Sequence, residues 1–203
     1  QSLIDFSLKH GLHGIENLTL IPGTCGAAPM QNIGAYGVEI SDVFHSLEAI
    51  DLQNGKKEIF YNKDCAFGYR QSIFKNTLKN HFIISSISLR LMHYFIPVLS
   101  YAVLAQRLEA SGIKDPDADT ISQMVAAIRM EKLPDPALQG NAGSFFKNPV
   151  LGMAQYNEIK RRYNQIPAYF QNDGSVKIPA AWLIEKSGLK GYLKGNAKVH
   201  DRQ

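Results

Sequence analysis

The sequence predicts a mixed α/β (α+β) fold in two unequal parts, on three observations. Asn54-Gly55 stands between two strand-like runs and is a strong hairpin signal. Two later segments carry apolar residues at helical spacing. Pro134 and Pro136, followed by the polar stretch 139–143, then mark a boundary that divides residues 1–133 from 134–203.

Each element has its own local warrant. Leu3, Ile4, Phe6 and Leu8 fit the last turns of a buried helix, and Gly11 stands where a left-handed cap is expected. Because that helix opens in mid-pattern, the chain is expected to continue upstream. Residues 21–37 are rich in small side chains and read as a rigid loop. Phe44–Leu52 and Lys56–Tyr61 form the hairpin, and His81–Leu91 supplies a third strand through Ile83, Ile84 and Ile87. Residues 101–110 place Leu104, Ala105 and Leu108 on one side of a helix. Asp119 or Thr120 caps the next, which runs to about Lys132 over Ile121, Met124, Val125 and Ile128. Met153–Arg162 is helical, and Pro179 opens a last helix to Ser187, closed by Gly188.

Composition narrows the function classes. Apolar residues make up 45% and charged residues 20% of the 203, which excludes disordered, collagen-like and coiled-coil readings. The net charge of +4 comes from scattered Lys and Arg, so it favours a small anionic ligand over nucleic acid or a membrane surface. No apolar run approaches the roughly 18 residues of a membrane span. Cys25 and Cys65 make no disulfide framework and fit a reducing compartment. The six histidines lack metal-ligand spacing, so no metal is expected.

Three motifs carry candidate chemistry. IPGTCGAAPMQNIGAYG, Ile21–Gly37, contains four glycines that allow close backbone approach to a planar cofactor. It lacks the dinucleotide G-x-G-x-x-G pattern, and a purely structural Ω-loop is the competing reading. In FGYRQSIFK, Phe67–Lys75, the fork of Arg70 suits a carboxylate; a surface pair with Asp64 is the alternative. In NAGSFFKNP, Asn141–Pro149, Ser144 has no neighbouring base for a nucleophile, but a placed serine can donate a proton. Tyr101, Lys132, Asn148, Tyr169, Lys177 and Lys190 offer stacking, hydrogen bonds and positive charge suited to a nucleotide diphosphate, although each alone is an ordinary surface residue.

In this order and spacing the three motifs resemble the UDP-N-acetylenolpyruvoylglucosamine reductase (MurB) family, type I, from about Gly14 to His200. The resemblance implies part of a vanillyl-alcohol-oxidase-type FAD-binding domain followed by a small α/β substrate-binding domain. It implies a cytoplasmic, monomeric flavoenzyme of peptidoglycan synthesis that uses FAD and NADPH to reduce UDP-N-acetylglucosamine enolpyruvate to UDP-N-acetylmuramate. Gln31, Asn32, Ile33 and Gly34 would neighbour the flavin. Arg70, beside Tyr69, would bind the enolpyruvyl carboxylate without serving the flavin, and Ser144 would protonate the adjacent carbon. Tyr69, Tyr101, Lys132, Asn148, Tyr169, Lys177, Lys190 and Gln203 would bind substrate. The family pattern also has an N-terminal phosphate loop and a C-terminal glutamate outside these residues, and Ala27–Ala28 departs from a serine-containing pair. A non-catalytic nucleotide-sugar-binding module derived from that enzyme is the alternative.

Overall fold

The computed structural model describes residues 1–135 and 137–201. The chain divides into two compact units, Gln1–Arg129 and a second from Met130 onward.

The first unit opens with helix α1, Ser2–Lys9, which buries Ile4 and Ser7. It stops at Gly11, whose φ of +62° lets Leu12 N–H reach back to the Ser7 carbonyl at 2.9 Å. Residues 21–37, expected as an aperiodic loop, carry more structure than that. A 3₁₀ segment occupies Cys25–Gln31, Asn32 turns left-handed at φ +45°, and a small hairpin pairs β1, Gly34–Ala35, with β2, Val38–Glu39. Tyr36 and Gly37 both have positive φ, the signature of a tight two-residue turn. A Cβ at Gly37 would also meet the Ser100 hydroxyl, so glycine is required there twice over.

Strands β3, Phe44–Asp51, β4, Lys57–Tyr61, and β5, Phe82–Leu89, form one antiparallel sheet in the order β4-β3-β5. At the hairpin Gly55 alone is left-handed, and its N–H bonds the Asp51 carbonyl at 2.8 Å, so the turn is longer than a two-residue Asn-Gly type. Strict alternation would put Phe44 and Leu47 on opposite faces. The register skips His45 on β3 and Ser85 on β5, and these bulges bring Phe44, Leu47 and Ala49 onto the face shared by Phe82, Ile84, Ile87 and Leu89. Cys65 and Phe74 complete that core, with Phe60, Phe74 and Phe82 edge to face.

Helices α2, Ala102–Ser111, and α3, Ala118–Lys132, pack Leu104 against Ile121, Val125 and Ile128, all fully buried. Each such side chain contributes about 1.5–3 kcal/mol relative to exposure. The α3 cap is Asp117, whose Oδ1 accepts Thr120 N–H at 2.8 Å, and not Asp119 or Thr120 as the sequence suggested. The helix starts earlier than its apolar stripe, which moves the cap upstream.

The second unit has α4, Met153–Arg162, and α5, Ala180–Lys186, with a sheet of β6, Val150–Leu151, β7, Tyr169–Phe170, and β8, Val176–Lys177, ordered β6-β8-β7. Tyr156, Ile166, Val176 and Ile178 form its core. Pro179 is the N-cap of α5, one position before the expected one, and the Asn148 side-chain oxygen accepts Ala180 N–H at 2.9 Å. A final hairpin joins β9, Leu193–Lys194, to β10, Ala197–Lys198. Among the described residues no helix is long and apolar enough to cross a membrane, and no group of His, Cys, Asp and Glu is placed to hold a metal ion.

Candidate active site

The densest polar constellation surrounds Arg70. Gly68 and Gln71 close a tight turn by reciprocal backbone bonds of 3.2 and 3.0 Å, and Arg70 occupies its third position at φ +56°. A turn of this kind prefers glycine there, so a side chain is held at a cost on the order of 1 kcal/mol. The guanidinium lies 5.1 Å from the Tyr69 ring centroid. Nη2 donates to the Gly34 carbonyl, Nη1 donates to the Asn32 carbonyl at 3.4 Å, and Nη1 stands 3.5 Å from Glu39 Oε1. Its partner is therefore Glu39, and the Asp64 alternative does not hold: Asp64 instead accepts Tyr61 N–H at 2.9 Å.

Asn32 is the hub of this arrangement. It is buried, and its side chain is satisfied on both ends: Nδ2 donates to Glu39 Oε2 at 2.6 Å and to the Gly68 carbonyl at 3.2 Å, while Oδ1 accepts Ser41 N–H at 3.0 Å. Asparagine tolerates the left-handed backbone that this position demands. Gly34 leaves no room for a side chain, since a Cβ would fall 2.8 Å from Glu39 Cγ and 2.9 Å from the Val38 carbonyl.

The four adjacent residues 31–34 make two kinds of contact. Gln31 and Ile33 line a cleft of about 140 Å³ with Ile4, Ile15, Leu18 and Ala27. Asn32 and Gly34 instead engage Arg70 through their backbone carbonyls. Through these two carbonyls Arg70 is held against the segment 21–37.

Tyr101 is the N-cap residue of α2 and meets Tyr36 edge to face at 5.1 Å. The segment before it is stapled by Asn17, whose Nδ2 donates to the Tyr36 carbonyl at 2.7 Å and the Val98 carbonyl at 2.9 Å. Arg129 hydrogen-bonds the Tyr36 phenol and reaches the Leu20 carbonyl at 3.2 Å. Burial pushes the Tyr36 phenol up and the Arg129 guanidinium down from their ordinary ranges, and each partly offsets the other. Sequence reading missed Glu39, Asn17 and Arg129, because no local spacing links them to Arg70 or Tyr101.

In the second unit Ser144 lies in an exposed bend. Asn141 Oδ1 accepts Gly143 N–H at 3.1 Å, and Gly143 has a φ of +57°, which shapes the backbone just before the serine. Phe145 and Phe146 are exposed and edge to face. Tyr169 and Lys177 are register partners on β7 and β8, and Ile178 N–H bonds the Pro149 carbonyl at 3.0 Å, bringing Asn148 to the same small sheet. Lys190 pairs with Glu185 at 3.8 Å, and Lys132 ends α3, exposed. Gln203 lies outside the described residues.

Comparison with known proteins finds chains similar to this one. Residues 135–203 match the family model described as UDP-N-acetylenolpyruvoylglucosamine reductase, C-terminal domain. A UDP-N-acetylenolpyruvoylglucosamine reductase of Pseudomonas syringae pv. syringae is 52% identical over 196 residues, 97% of this chain and 58% of the relative. One from Burkholderia lata is 49% identical over 205 residues, 100% of this chain and 58% of the relative. The fold resembles the crystal structure of the Thermus caldophilus reductase with a TM-score of 0.62 at 22% identity, over 99% of this chain and 55% of that one. The chain therefore spans a little over half the length of these relatives, and over that length it is similar to UDP-N-acetylenolpyruvoylglucosamine reductases, with residues 135–203 matching the model of their C-terminal domain.

Proposed function

We propose that this chain is part of an enzyme that reduces UDP-N-acetylglucosamine enolpyruvate to UDP-N-acetylmuramate in peptidoglycan precursor synthesis. The observation that carries the reading is the placement of Arg70, a guanidinium held beside a small-residue wall by the Asn32 and Gly34 carbonyls and the Glu39 carboxylate. Hydride addition to the far carbon of an enol ether builds charge on the near carbon and its carboxylate. Arg70 stabilises that charge where it develops. Ser144 then donates a proton to the near carbon.

The cofactor in this reading is FAD, reduced by NADPH. The residues fit one face of a flavin: the cleft is lined by apolar Ile33 and Ala27, with Gln31 beside them. When bound, the flavin supplies the hydride. Residues 1–133 form the C-terminal part of a vanillyl-alcohol-oxidase-type FAD-binding region, and residues 134–203 belong to the substrate-binding domain. Tyr69, Tyr101, Lys132, Asn148, Tyr169, Lys177, Lys190 and Gln203 contact the substrate or its diphosphate. The enzyme works as a cytoplasmic monomer.

The test is stopped-flow absorbance on the full-length protein. Ser144→Ala should accept hydride from NADPH normally, yet be reoxidised by the enolpyruvyl substrate about 10²–10⁴-fold more slowly. Reoxidation at the wild-type rate would remove Ser144 from the mechanism. A colourless full-length protein that binds the nucleotide sugar would favour a non-catalytic binding module.

A further inference from the structure

We propose that Glu39 is the positioning residue of Arg70, an inference that rests on reading Arg70 as the carboxylate-binding group. A guanidinium has five N–H donors in a fixed plane. The Glu39 carboxylate and the Asn32 carbonyl take Nη1, and the Gly34 carbonyl takes one hydrogen of Nη2. Among the described residues no acceptor takes Nε–H or the second Nη2 hydrogen, which leaves them for a ligand. Together they have the two-pronged spacing that matches a carboxylate.

Glu39 holds this orientation because it is itself anchored by hydrogen bonds. Its Oε2 accepts the 2.6 Å bond from Asn32, which is locked in turn by Gly68 and Ser41. β2 supplies the residue, and its hairpin partner Gly34 is bare, so the Glu39 stem and Arg70 Nη1 close over the space a Cβ would fill. The Arg70 side chain is 27% exposed. In that half-buried setting an anchored anion fixes both the direction and the local charge of the guanidinium. Without Glu39 the wall carbonyls alone hold Arg70, and its free edge no longer has one direction.

The experiment compares Glu39→Gln and Glu39→Asp with wild type in the flavin-loaded full-length enzyme. Glutamine keeps an oxygen for Asn32 and loses the charge. Calorimetry with two ligands reads the effect without turnover. Binding of the enolpyruvyl substrate should weaken roughly 10- to 100-fold, the scale of a misplaced binding group. Binding of UDP-N-acetylglucosamine, which lacks the carboxylate, should stay within about twofold. Substrate-driven reoxidation should slow with Glu39→Gln, and Arg70→Lys/Glu39→Gln should be no slower than Arg70→Lys alone. Equal weakening of both ligands, or a fully additive double variant, overturns the proposal. Should Glu39→Gln fail to fold, Glu39→Asp is read by the same two ligands, with a smaller loss confined to the carboxylate-bearing one. A wild-type enzyme that never reduces the substrate refutes the functional reading, while the two-ligand comparison still decides the role of Glu39.

Discussion

Replacing Asn32 with alanine is the sharpest way to test the network around Arg70. The substitution deletes three hydrogen bonds at a side chain that is only 1% exposed. The bond to the Glu39 carboxylate is charge-assisted and contributes about 1.5–3 kcal/mol; the other two contribute about 1 kcal/mol each. Alanine also tolerates the +45° φ less well than asparagine, at about 1 kcal/mol. Allowing for relaxation and water entry, the loss should be about 3–5 kcal/mol, a large share of the total stability of a typical domain. Asn32→Gly removes the backbone component and should lie about 1 kcal/mol above alanine. Asn32→Asp places a carboxylate against Glu39, so it should be destabilised at neutral pH. It should recover on acidification, because a proton shared between two like charges is bound more tightly in the folded state. Urea unfolding of the purified variants, read by circular dichroism at constant slope, measures all three. An alanine variant within about 1 kcal/mol of wild type would show that the network does not hold the wall.

Four further outcomes follow from the same contacts. Arg70→Lys keeps the charge but loses its fork on the Asn32 and Gly34 carbonyls, so the unfolding midpoint should fall, by about 1–2 kcal/mol in stability. Gly34→Ala drives a methyl into Glu39 and the Val38 backbone and should cost about 1–3 kcal/mol, measured by the same unfolding assay. Maleimide labelling at neutral pH should modify exposed Cys25 and spare Cys65 until unfolding, because burial, with Asp64 nearby, pushes the Cys65 thiol up to about 11. Ile121→Ala, in the fully buried seam between α2 and α3, should lower stability by about 2–5 kcal/mol without changing ligand affinity.

What the sequence determined by itself is what neighbours along the chain decide. Helix α4 spans the residues its pattern indicated, Met153–Arg162, and the stripe of α3 is the one that packs, because a 3.6-residue period is read within a single element. Gly11 and Gly188 are left-handed after their helices, since the cap requires only the preceding turn. The Arg70 and Ser144 motifs were visible as residue types in context, together with the family they resemble. The tertiary structure decided everything that joins distant segments. It converted residues 21–37 from an expected loop into a 3₁₀ segment and hairpin, since Ile33, on either side of whose backbone Ala28 and Ile40 must close, pairs only when the chain returns. It placed bulges at His45 and Ser85, which no alternation pattern announces, because the extra residue is defined by its partner strand. It exchanged Asp64 for Glu39 as the partner of Arg70, and it made Asn32 the buried hub of that pair. Local periodicity acts over a few residues, whereas a guanidinium finds its carboxylate through space, across a hairpin and a turn whose geometry exists only once the fold has closed.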